Sequence, residues 1–213
     1  MMRTMLVTFT SDGLALEGIL RLPDGQGLFP GVALCHPHPL HGGEMRNTVA
    51  EAMAVALTRA GVATLAFNFR GVGNSQGSHD RGVGEVKDTL SAVTFLGDQA
   101  GVDRGRLGIA GYSFGAGIAL DAAAEEHDLR AVVSVACPAA PMNDLVLHQI
   151  NRPKLFIQGD ADYVIELELF RFLAQRFSPP REVEVLAGAD HSLRGYEARV
   201  GSMAAEFFKR TLG

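Results

Sequence analysis

Short apolar runs alternate with segments of helical period along nearly the whole chain, and no other feature restricts its architecture as strongly. After Pro30 the runs at 31–35, 63–69, 107–111, 131–136 and 154–158 are almost continuously apolar, the pattern of strands covered on both faces. A weaker alternating run at 183–186 ends the series. Between these runs, 48–60, 84–96, 114–124, 167–176 and 197–211 carry apolar residues at helical spacing. Strand and helix taking turns specify a mostly parallel sheet with right-handed crossovers and helices on both faces, and ligands bind such sheets at the carboxyl ends of the strands. Ahead of this region, residues 5–10 and 14–22 alternate apolar and polar around Ser11-Asp12-Gly13, which predicts a β-hairpin.

A chain of 213 residues with no internal repeat, low-complexity tract or linker reads as one α/β domain spanning 1–213. Its 19 basic and 24 acidic residues give a net charge of −5 with no basic block, so nucleic acid is not an expected partner. The first residues lack the apolar run of a signal peptide, and no later run is long enough to span a membrane. A cytoplasmic location without membrane attachment is therefore the expectation. Cys35 and Cys137 end strand-like runs and read as small buried hydrophobes.

The chemistry concentrates at Gly111-Tyr112-Ser113-Phe114-Gly115, between an apolar strand and a helix-period segment. Glycines two residues either side give a tight strand-to-helix turn room, and the serine hydroxyl is exposed at a helix N-terminus whose amides favour an oxyanion. A serine hydroxyl is a poor nucleophile at neutral pH and needs a base, held in the right tautomer by a third group. Downstream, Gly159-Asp160-Ala161-Asp162 follows a strand, and Asp190-His191 follows the last one. Ser113 as nucleophile, Asp162 as orienting acid and His191 as base give the chain order Ser, Asp, His. Asp160, closer to its strand, reads as a turn-stabilising residue. His127 and His148 read as exposed helix or loop residues.

On these residues the sequence resembles the α/β-hydrolase superfamily from Met5 to Leu212. Leu34-Cys-His36-Pro37-His38-Pro39-Leu40-His41-Gly42-Gly43 resembles the loop that supplies the second oxyanion amide, and Asn68-Phe-Arg70-Gly71-Val72-Gly73-Asn74-Ser75-Gln76-Gly77 resembles the arginine-glycine loop after the next strand. The pairing of His36-Pro37-His38-Pro39 with Gly42-Gly43 is similar to a group of compact, lidless bacterial hydrolases. The resemblance implies an eight-stranded sheet, no metal or organic cofactor, and acyl transfer through a serine ester. Because Pro37 and Pro39 have no amide hydrogen, the oxyanion donors implied are the N–H groups of Phe114 and His38, with Leu40 as the alternative to His38. His36, His38 and His41 can also be read as metal ligands, but two prolines stiffen the segment and no outside ligand is evident. Arg70 either binds a substrate carboxylate or, as arginines at strand ends more often do, anchors a loop. Ser75 reads as a turn residue.

The expected activity is that of a serine carboxylesterase on short-chain or small accessible esters. Only about 17 residues separate the strand at 131–136 from the next, so no lid domain is expected. Thioester, lactone and small amide or peptide hydrolysis use the same three residues and remain alternatives, although lactone hydrolases of the dienelactone kind often carry cysteine where this chain has Ser113. A non-catalytic binding protein has no need of all three.

Overall fold

The computed structural model describes residues 2–213. Its framework is one eight-stranded sheet: β1 (Arg3–Ser11), β2 (Leu14–Leu22), β3 (Phe29–Cys35), β4 (Ala63–Phe67), β5 (Val102–Tyr112), β6 (Ala131–Val135), β7 (Lys154–Gly159) and β8 (Arg181–Leu186). The spatial order is β1-β2-β4-β3-β5-β6-β7-β8. β1 and β2 form the expected antiparallel hairpin and β2 runs antiparallel to β4, while every later pairing is parallel.

Among the described residues six helices flank the sheet: α1 (Thr48–Arg59), α2 (Val83–Gly97), α3 (Phe114–Glu125), α4 (Ala139–Met142), α5 (Leu167–Arg176) and α6 (Glu197–Leu212). α1 and α6 bury Met53, Leu57, Phe207 and Phe208 against one face. α2, α3 and α5 bury Val93, Leu96, Ile118, Leu120, Phe170 and Leu173 against the other. Every residue of β4, β6 and β7 is consequently buried, which is why their sequences are apolar runs and do not alternate. β8, at the edge, exposes half of its residues and buries only Leu186.

The helix bounds agree with the sequence pattern to within one or two residues, whereas β5 begins five residues earlier than the apolar run at 107–111. Between β6 and β7 lie only α4 and a 3-10 turn at Leu147–Gln149, and no lid domain. The expectation that His148 is exposed is wrong. It is buried beside Phe177, with Nε2 2.8 Å from the Met142 carbonyl, and ties this connection to the end of α5. No helix among the described residues is long and apolar enough to cross a membrane.

Candidate active site

Ser113 lies between β5 and α3 with φ +55° and ψ −118°, a left-handed conformation that costs a residue with a side chain on the order of 1–3 kcal/mol. The flanking glycines make the turn sterically feasible. A Cβ on Gly111 would stand 2.0 Å from the Gly115 carbonyl oxygen, and one on Gly115 would stand 2.4 Å from the carbonyl oxygens of Cys35 and His36. Glycine is needed at both positions because backbone approaches backbone. The Ser113 N–H donates to the Val135 carbonyl, pinning the turn to β6.

The structure brings Ser113, His191 and Asp162 into one hydrogen-bonded chain. Ser113 Oγ is 2.9 Å from His191 Nε2, and His191 Nδ1 is 2.8 Å from Asp162 Oδ2. Asp162 is buried, which raises its pKa, yet bonds from His191 and from the N–H groups of Val164 (2.7 Å) and Ile165 (3.3 Å) outweigh the burial and hold it below the usual carboxylate range. An ionised Asp162 only accepts, so Nδ1 carries the imidazole proton, and Nε2 of the neutral ring accepts from the serine hydroxyl. Asp160 instead accepts from the Gly188 N–H at 2.7 Å and braces the histidine loop.

Two partners of this chain escaped the sequence reading. Gln158, at the end of β7 and fully buried, donates Nε2 to Asp162 Oδ2 at 2.7 Å. Tyr112 donates its hydroxyl to the His191 carbonyl at 2.8 Å, and burial, with nearby Tyr163 and acidic groups, pushes its phenol up to about 12, so it stays a donor. A polar residue closing an apolar strand was the available signal for Gln158. Nothing local marks Tyr112, whose partner is 79 residues away.

Phe114 is the first residue of α3, so its N–H has no acceptor within the helix. In the facing loop the Leu40 N–H donates to His38 Nδ1 at 3.2 Å, while among the described residues the His38 N–H makes no hydrogen bond. The His38 ring packs 4.8 Å from that of Phe114. His36 is fully buried, with Nε2 accepting from the Phe69 N–H (3.1 Å) and Nδ1 2.6 Å from the Pro37 carbonyl. Burial pulls its pKa down to about 4, against smaller opposing effects from Pro37 and Glu85. Both ring nitrogens are spent, so His36 latches the loop. Among the described residues no group of three His, Cys, Asp or Glu is placed to hold a metal.

Arg70 anchors: Nε and the guanidinium NH2 bind Asp88 at 3.0 and 2.7 Å in a buried pair, and Ser75 bridges the Glu17 N–H and the Asn68 carbonyl. Over Ser113 and His191 opens a cavity of about 600 Å³, walled by Phe114, Ile118, Pro138, Pro141 and Tyr163. A nucleophile with a bonded base beside an apolar wall suits attack on a carbonyl, and the Phe114 and His38 N–H groups have no partner within the chain among the described residues.

Known proteins share this arrangement of elements. A family model described as alpha/beta hydrolase fold matches residues 39–181. The structure of an alpha-beta serine hydrolase homologue from Coxiella burnetii is 34% identical, with a TM-score of 0.85 over 96% of each chain. A serine hydrolase without a lid from Xanthomonas campestris is 28% identical, with a TM-score of 0.85 over 99% of this chain and 95% of that one. An uncharacterized protein of Rickettsia prowazekii is 32% identical over 173 residues, 78% of this chain and 72% of its own.

Proposed function

The chain belongs to the α/β-hydrolase fold family, and on that footing we propose that it is a serine carboxylesterase acting on short-chain or otherwise accessible esters. The observation that carries the reading is the hydrogen-bonded sequence Ser113, His191, Asp162 opening into the cavity. Ser113 Oγ attacks the ester carbonyl while His191 Nε2 takes the hydroxyl proton, and the oxyanion is held by the N–H groups of Phe114 and His38. The tetrahedral intermediate collapses, the bond to the alkoxy oxygen breaks, and His191 returns its proton to that oxygen. Water then attacks the acyl-serine, gives its proton to His191, and the acid leaves as Ser113 regains its hydrogen. Asp162 stabilises the imidazolium throughout and stays ionised.

An open cleft without a lid supports small or exposed esters as substrates. The test is hydrolysis of p-nitrophenyl acetate and butanoate by wild type and Ser113→Ala. Wild type should turn over both, and the variant should lose activity by a factor on the order of 10⁴ or more. Full activity in Ser113→Ala refutes the mechanism; a wild type inert on every ester but active on thioesters moves the assignment to thioester hydrolysis on the same residues.

A further inference from the structure

Beyond Ser113 the cavity continues along α3. Phe114, Gly117, Ile118 and Asp121 face it, at the spacing of one helical face. Its near part is apolar: Ile118 and Phe114 oppose Pro138 and Pro141, and Gly117 is so close under Pro141 that a Cβ would stand 2.7 Å from its Cγ. Its far part holds two charged groups, Asp121 and Arg81, which with Gly82 also line an adjoining cleft of about 480 Å³. Among the described residues neither side chain makes a hydrogen bond or ion pair, so the two are not joined to each other.

Arg81 is fixed at this wall by a buried carboxylate. Its φ is +54°, a strained value for an arginine. Glu85, fully buried, accepts from the N–H groups on either side, Asp80 at 2.9 Å and Gly82 at 2.8 Å, and lies 2.7 Å from His79 Nδ1. Burial raises the Glu85 pKa, but these bonds and His79 carry it below its ordinary value, so the clamp is an anion. Across the cavity Asp121 is half-buried; burial first, then Asp144 and Glu125, push its carboxyl up to about 6. It is an acid that lacks a donor.

The chemistry of this end selects its ligand. An ammonium suited to Asp121 meets Arg81, and a carboxylate suited to Arg81 meets Asp121. A neutral hydroxyl donates to the one and accepts from the other. The leaving oxygen must receive its proton from His191, so the alcohol lies toward His191, Tyr163 and Val164, and the acyl arm lies along α3. From Ser113 to Asp121 the helix rises about 12 Å, which an extended chain spans in about ten bonds.

We propose that this far end is a hydroxyl-binding acyl subsite: Asp121 and Arg81 take the hydroxyl of a medium-chain hydroxyacyl ester whose apolar stretch lies on Ile118 and Pro141. It rests on the esterase reading and extends it past short acyl groups.

The experiment compares kcat/KM for p-nitrophenyl butanoate, decanoate and 10-hydroxydecanoate, and for the mono-p-nitrophenyl ester of decanedioic acid, with wild type, Asp121→Ala and the exposed-site variant Arg81→Ala. The 10-hydroxy ester should exceed decanoate about tenfold in wild type, through KM, and that ratio should fall toward one in both variants. A wild-type ratio of one or less overturns the subsite even if a variant fails to fold. So does a ratio that persists in both variants, or a preference for the carboxylate-ended ester, which would make Arg81 an anion site. Butanoate hydrolysis without hydroxyl selectivity refutes the subsite alone, whereas no hydrolysis of any ester refutes the esterase reading and the subsite with it.

Discussion

Acidifying the protein should cost it stability through His36. In the unfolded chain this imidazole takes up a proton near pH 6.5; in the folded chain, buried and bonded to the Phe69 N–H, it does so only near 4. Because the folded value is depressed, the unfolded state binds more protons between the two, so the stability is complete above about 6.5 and drains away as pH falls toward 4. The gap is worth about 3 kcal/mol in full, most of it already lost by pH 4.5. His36→Gln keeps a neutral acceptor for the Phe69 N–H and cannot titrate. Urea unfolding followed by far-ultraviolet circular dichroism, since the chain has no tryptophan, at several pH values from 7.5 to 4.5 isolates the difference. Wild type should be the more stable at pH 7.5 and lose on the order of 2 to 3 kcal/mol relative to the variant by pH 4.5. Two stability curves that stay parallel across that range would refute the buried, neutral state of His36.

Gln158→Leu should lower kcat on short esters about tenfold with little change in KM, since the side chain touches Asp162 and no part of the cavity; a kcat within twofold of wild type would deny Gln158 a positioning role. Gly115→Ala should cost several kcal/mol, on the order of 3 or more, or abolish folding, because the Cβ meets two backbone oxygens at 2.4 Å and neither can yield. A thermal midpoint within a few degrees of wild type would show that the elbow has slack.

The layers and the carriers of the chemistry were legible because both are written locally. Continuous apolar runs mark strands covered on two faces, and Gly111-Tyr112-Ser113-Phe114-Gly115 names its own turn. What was not legible is whatever depends on distant chain meeting in space. That Asp160 braces the histidine loop through the Gly188 N–H, 28 positions later, was not written locally, although Asp162 was already favoured as the partner of His191. His148 looked exposed because its own neighbours are polar or mixed; Phe177, 29 positions later, covers it. His38 was favoured over Leu40 as the amide donor, but nothing local showed that the His38 ring itself engages the Leu40 N–H. Arg81 and Asp121 gave no signal, because a charged residue at the start of one helix and another inside the next carry no common pattern until the folded chain sets them on one cavity.

The most direct test of the central claim is mass spectrometry of the intact protein and its peptides after reaction with a fluorophosphonate, which phosphonylates an activated serine with loss of fluoride. A single adduct is expected on Ser113, formed rapidly in wild type and slowed by orders of magnitude in His191→Ala. Labelling at another residue, or none under conditions where ester turnover is measurable, would contradict a mechanism that runs through Ser113.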